Sequence, residues 1–320
     1  MLLAVPCSAA DAVALYDAAD GTPAGEVAVG SHPVHLAAAD GRVLVATMGE
    51  RSVDVVADGA VERIETGVLG PSHFAVGADT AFVPCTGGDA VAVLDLETLD
   101  CTERVAVGAE PHDAELVDGT LYVGSRADGT VTVVDAETAT VRTAVDLGTV
   151  DGTQARVQGL AAADDGVYAV DQANGRVAHI EAGSTAGVAG VAAVGENPYE
   201  PVVDDGRVLV AGRDDGTVTE LSRDLSTATT HDVGGTPTEV VTADEDAWVF
   251  DRDRAVVRSL GGDGVELPHP GFAAARDPDR PARVYVSHYD DDAISAVDLD
   301  TGTVRWTADT PERPFEPLPV

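Results

Sequence analysis

The chain has 320 residues, with 56 acidic against 19 basic side chains and a formal charge of −37, and every basic side chain is arginine. No basic patch is present to neutralise phosphates, which speaks against nucleic-acid binding, and no apolar run approaches membrane-spanning length. A hydrophobic content of 44%, set in short Val/Ala/Leu runs between Asp/Gly turns, excludes a disordered chain.

The first element is Leu2-Leu3-Ala4-Val5-Pro6-Cys7, which reads as a second strand with no first strand before it. It is too short for a signal peptide and lacks a basic flank, so a cytoplasmic location is expected. A motif of proline, two variable residues and an apolar strand begins at Pro33 and recurs at Pro71, Pro111, around Gln158, and at Pro198, Pro237, Pro270 and Pro314. The spacing scatters around about 40 residues, the length of a four-stranded propeller blade. The copy after Pro111 is the clearest. Residues 113–117 form a strand, Asp118-Gly119 turns into 121–124, Ala127-Asp128-Gly129 turns into 131–135, and Glu137-Thr138 turns into 141–147. Asp-Gly pairs signal tight hairpins because glycine accepts the positive φ such turns require.

Second strands are expected at 2–7, 43–47, 82–85, 121–125, 167–171, 208–212, 247–251 and 284–288. Eight of them predict an all-β, eight-bladed β-propeller of four-stranded antiparallel blades, as one domain over 1–320. Blade one is split between 311–320 and 2–30, and the others run near 31–68, 69–108, 109–150, 156–195, 196–234, 235–269 and 270–310. The short step from Pro237 to Pro270 leaves seven blades as the alternative. No run has helical periodicity. Pro314-Phe315-Glu316-Pro317-Leu318 supplies the first strand that Leu2 lacks, so the N- and C-terminal strands are expected to pair and close the ring.

The pattern of Pro, strand, Asp-Gly, Val-x-Val and Asp-x-x-Thr resembles YVTN-type propeller repeats over nearly the whole chain. The stretch Ala296-Val297-Asp298-Leu299-Asp300-Thr301-Gly302-Thr303-Val304-Arg305-Trp306 resembles the tryptophan-docking motif of eight-bladed quinoprotein propellers. That resemblance implies that Trp306 packs on a neighbouring blade while Asp, Thr and Gly shape the turn before it. Thr303 stands where that family usually has lysine, and the motif occurs once. A quinone would need an aromatic floor, and with Trp248 and Trp306 both read as strand residues none is expected. The acidic residues are spread evenly, with no tail or block, which fits a halophilic, haloarchaeal-type proteome in a salt-rich cytoplasm better than a surface for one basic partner.

In a propeller the start of each first strand and the end of each second strand meet at one rim. Two residues after the motif proline stand His35, His73, Asp113, Glu200, Glu239 and Glu316, with His32, His112, Tyr199 and Phe315 nearby. The second strands end in Cys7, Cys85, Asp171, Asp251 and His288, followed by Arg126, Arg213, Arg252 and Tyr289. His35, His73 and Asp113, in consecutive blades, form a candidate ligand set for a divalent metal ion, since imidazole and carboxylate both bind such ions. Glu200, Glu239, Glu316, Arg126, Arg213, Arg252, His288 and Tyr289 form a candidate ligand-binding rim. Cys7, Cys85 and Cys101 lack CxxC spacing, so neither a disulfide framework nor a structural zinc site is indicated, and Cys7 and Cys85 read as buried thiols. No GxSxG, Walker or dinucleotide fingerprint occurs.

Two functions are consistent with this rim. The first is a non-catalytic scaffold or ligand-binding propeller that presents the rim to a protein or small molecule, with no nucleic-acid or membrane partner. The alternative is a metal-dependent lyase or lactonase-like hydrolase, resembling streptogramin-lyase or gluconolactonase-type propellers, with a His/carboxylate site at the channel mouth.

Overall fold

A computed structural model describes residues 1–183, 186–243, 246–262 and 264–320. It is an eight-bladed β-propeller made of eight four-stranded antiparallel sheets. Blade four runs Pro111–Val117, Thr120–Ser125, Thr130–Asp135 and Thr140–Asp146. Its first hairpin turns on Asp118 and Gly119, with φ of 45° and 71°, the left-handed pair that the Asp-Gly signal called for. The second strands expected from sequence all appear, among them Leu2–Cys7, Arg42–Thr47, Thr80–Cys85 and Arg280–His288.

The middle strands are buried on both faces and therefore read as continuous apolar runs. Thr120–Ser125 is buried throughout, whereas the outer strand Thr140–Asp146 is mostly exposed. Within each unit, neighbouring blades pack these middle strands against one another. Each Val or Leu side chain fully buried in such a seam, such as Val133 and Leu121, contributes about 1.5–3 kcal/mol.

The chain forms two compact units, Met1–Arg63 with Gly235–Val320, and Ile64–Gly234. In the first unit the termini share a sheet. Leu3 pairs with Pro319 and Ala4 with Leu318, and Cys7 bridges Pro314. Leu2 and Val320 exchange two backbone hydrogen bonds of 2.9 Å. Trp306, on the outer strand Thr303–Asp309 of blade eight, docks on blade one and donates from Nε1 to the Ala18 carbonyl at 3.3 Å. Its ring lies where a Cβ on Gly21 would come within 2.5 Å, and Gly21 has φ +74°, so glycine is needed twice over. This docking is what the tryptophan motif implied.

Eight sheets remove the seven-blade alternative. The short step from Pro237 to Pro270 is absorbed by a blade with two short outer strands, Val256–Ser259 and Gly264–Glu266. Three details of the second unit were not read from sequence. A small hairpin, Thr149–Val150 with Thr153–Gln154, occupies the gap before blade five. One 3-10 turn covers Gln172–Asn174. The first strand of blade three shrinks to Ala75–Val76, leaving His73 outside the ladder.

Candidate functional site

The loop that enters each first strand is set by a repeated backbone device. The residue before the motif proline is left-handed at His32, Glu110, Asn197 and Arg313, with φ of 51–59°. At His32, Glu110 and Arg313 its N–H is accepted by an aspartate from the turn after a second strand, Asp11, Asp89 and Asp292 in turn. The residue following the second strand then bonds back to the entering loop. Arg126 N donates to the Glu110 carbonyl and Arg252 N to that of Thr236, both at 3.0 Å, and Gln172 N to that of Arg156 at 2.9 Å. Side chains at strand starts and strand ends are thereby brought to one end of each blade.

Several acids at these ends serve the fold. Asp171, fully buried, accepts from Arg156 N at 2.9 Å, Arg176 Nε at 2.7 Å and Asn174 Nδ2 at 2.8 Å. Asp251 accepts from the backbone of Thr236 and Asp253. His288, expected on the rim, is fully buried. Its Nδ1 donates to the Pro270 carbonyl at 3.0 Å and its Nε2 accepts from Ser295 Oγ at 2.8 Å, so both ring nitrogens are engaged. Burial lowers its pKa and keeps the imidazole neutral. Cys7 and Cys85 are fully buried, and burial pushes both thiols up to about 12, which makes them inert.

In the first unit, Phe272, Tyr289 and Phe315 meet with ring centroids 4.8, 5.1 and 5.5 Å apart. The His35 ring stands edge-on to Phe315 at 5.8 Å, and its Nδ1 lies 3.2 Å from Glu316 Oε2. Arg252 lies over Phe272 at 5.3 Å and Tyr289 at 5.8 Å, and is 3.5 Å from Asp290. Arg313 covers Tyr289 at 5.5 Å. All three aromatic rings are half-buried, in a chain only 4% aromatic. Glu239, also half-buried, pairs with Phe250 on the strand Pro237–Ala243. Phe272 stands two residues after Pro270 and Phe315 one after Pro314, whereas the two tryptophans give no sign of an aromatic surface. The cluster is made of Phe and Tyr instead.

In the second unit, His73 packs on His112 with ring centroids 4.6 Å apart, and its Nε2 lies 3.9 Å from Glu200 Oε1. His112 Nδ1 donates to the Gln158 carbonyl at 2.9 Å. Glu200 fits because Gly159 faces it, where a Cβ would come 2.7 Å from Glu200 Cγ. Asp113 accepts from Ala114 N at 2.8 Å and Leu160 N at 2.7 Å. Glu115, next along the strand, is pushed up to about 8, first by burial and then by the charges of Asp113 and Glu200. Arg213 stacks over Tyr199 at 4.5 Å.

The candidate metal ligands thus divide. His35 belongs to the first unit with Glu316, and His73 and Asp113 to the second. Among the described residues no group of three or more His, Cys, Asp or Glu side chains is placed to hold a metal ion. Among them, too, no helix is long and apolar enough to cross a membrane.

No family model and no curated protein matches this chain. Solved structures do. The dihydro-heme d1 dehydrogenase NirN in complex with DHE is similar with a TM-score of 0.79 at 11% identity, over 99% of this chain and 74% of that one. Apo AztD from Citrobacter koseri is similar at 0.72 and 15% identity, over 99% and 96%. BamB from Moraxella catarrhalis is similar at 0.69 and 16%, over 89% and 88%. At these identities the likeness establishes the propeller fold alone.

Proposed function

We propose that this protein is a non-catalytic, ligand-binding propeller of a salt-rich cytoplasm. Its binding surface in the first unit is the cluster of Phe272, Tyr289 and Phe315 edged by Arg252 and Arg313. One observation carries the reading: aromatic rings left half-exposed together, with guanidinium groups over their faces. Packed rings offer a large apolar area at little entropic cost, and guanidinium adds attraction for an anionic group. Such anchors are typical of binding hot spots. The occupant therefore carries an apolar or aromatic moiety beside an acidic one. A propeller of the same fold, NirN, was solved with a bound ligand, which agrees with the fold serving as a ligand platform.

The test is comparative capture from the protein's own cells at fixed salt. Wild type and a Tyr289→Ala/Phe315→Ala double variant are purified in parallel, and co-purifying small molecules and proteins are identified by mass spectrometry. A species retained by wild type and lost from the variant supports the reading. Identical profiles oppose it.

A further inference from the structure

The seams on the two sides of blade eight are built from the same sequence device. An aspartate ends the third strand and a left-handed glycine follows four residues later, Asp17 with Gly21 in blade one and Asp298 with Gly302 in blade eight, at φ of +74° and +62°. The preceding blade brings an aromatic residue to each seam from three places before the end of its second strand, Tyr285 of blade eight and Trp248 of blade seven. Between blades eight and one the seam is full. Trp306 lies on Gly21, 6.1 Å from the Tyr285 ring, and donates to the Ala18 carbonyl. The Tyr285 hydroxyl donates to Asp277 at 2.8 Å.

Between blades seven and eight the corresponding space is a hollow of ≈ 440 Å³, with Trp248, Val265, Leu299 and Gly302 on its wall. The outer strand of blade seven, Gly264–Glu266, has three residues and no aromatic one, against seven in Thr303–Asp309. Among the described residues a Cβ on Gly302 would meet only Val265 Cγ2, at 3.8 Å. A volume of this size suits a small molecule. The polar groups of the wall are unmatched. Trp248 is 7% exposed, yet its Nε1 makes no hydrogen bond with any described residue. Buried indole N–H groups usually find an acceptor. No described residue donates to the Leu299 carbonyl, the counterpart of that of Ala18. Asp246 and Asp300, both exposed, also line the hollow, and neither is ion-paired with any described residue.

We propose that the hollow between blades seven and eight is a ligand site for a small aromatic amine, whose ring takes in this seam the place that the Trp306 indole takes in the next. A ring N–H of the ligand reaches the Leu299 carbonyl, as Trp306 Nε1 reaches that of Ala18. A ligand oxygen or ring nitrogen accepts from Trp248 Nε1, and the ammonium group faces Asp246 and Asp300. Ring packing against the indole supplies affinity, and the two carboxylates supply the preference for a cation. The site shares no residue with the cluster of Phe272, Tyr289 and Phe315 and selects the opposite charge, so either can fail alone.

The test uses the full chain in KCl at constant ionic strength, titrated calorimetrically with serotonin, a probe that carries a ring N–H, a hydroxyl and an ammonium group. A second arm uses hydroxyindole acetate, which keeps the ring and replaces the ammonium with a carboxylate. Wild type is expected to bind serotonin saturably at a single site, with a rise in melting temperature, and to bind the carboxylate analogue about tenfold more weakly or worse. Trp248→Phe keeps a ring, loses the N–H and should weaken serotonin binding severalfold. The double variant Asp246→Asn/Asp300→Asn, at exposed positions, should weaken it about tenfold with little change in melting of the free protein, and carries the test if Trp248→Phe does not fold. Failure of wild type to bind serotonin saturably, equal binding of the two probes, or unchanged affinity in the folded variants would overturn the proposal.

Discussion

Asp292 Oδ1 accepts the backbone N–H of Arg313 at 2.8 Å, across 21 residues of chain. The same bond, with the same separation, joins Asp11 to His32 and Asp89 to Glu110. In the first unit it fixes the residue whose guanidinium covers Tyr289, so a repeat element of the fold also shapes the candidate surface. Asp292 itself is left-handed, with φ of 51°. Asp292→Ala loses an ionised acceptor and forces alanine into that conformation, at a cost of about 2 kcal/mol. Asp292→Asn keeps an acceptor and tolerates the backbone, and should cost less than half as much. Urea unfolding in molar KCl reads both.

Deleting residues 311–320 removes Leu318–Pro319 from its sheet and the bonds that Phe315 N makes to the Pro6 carbonyl and Ser8 N to that of Arg313. The strand Leu2–Cys7 becomes an open sheet edge, an aggregation hazard. The expected loss is several kcal/mol out of a stability of about 5–15 kcal/mol. A truncated chain that melts like the full one would mean that the terminal pairing contributes nothing.

Glu115 makes stability depend on pH in an unusual direction. Its folded pKa is raised to about 8, well above that of a carboxyl in the unfolded chain, so over the interval between them the native state holds the extra proton. The stabilisation is complete at the acid end of that window and is lost as pH rises through about 8, at no more than about 1.4 kcal/mol per pH unit. Glu115→Gln should flatten this slope and make the protein more stable than wild type at pH 9. Urea midpoints measured from pH 6 to pH 9 would show it.

A formal charge of −37 predicts strong self-repulsion once screening is removed. Native circular dichroism should fade on dialysis into millimolar salt and return in molar KCl, where the screening length is about 3 Å. Full stability at low salt would detach the acidic surface from any halophilic role.

The blades were legible because their code is local. Proline before an apolar run, Asp-Gly at the hairpins and Val-x-Val in the third strand each act within a few residues. The terminal pairing of Leu3 with Pro319 was legible because each end lacked what the other supplied. The site was harder to read, because it depends on which side chains are free to face a ligand. His288 and Asp171 occupy rim positions in sequence but turn inward to bond Pro270 and Arg156. Phe272 and Phe315 follow prolines forty-odd residues apart, and only the folded chain shows that their rings touch.

The most direct check on the binding surface is a calorimetric titration with anilinonaphthalene sulfonate, an anionic aromatic probe, in molar KCl. Wild type is compared with Tyr289→Ala, whose circular dichroism should remain native. The expected result is one saturable site on wild type, weakened about tenfold in the variant by loss of an aromatic anchor. Equal binding by the two proteins, or no saturable binding by wild type, would contradict a ligand surface built on Phe272, Tyr289 and Phe315.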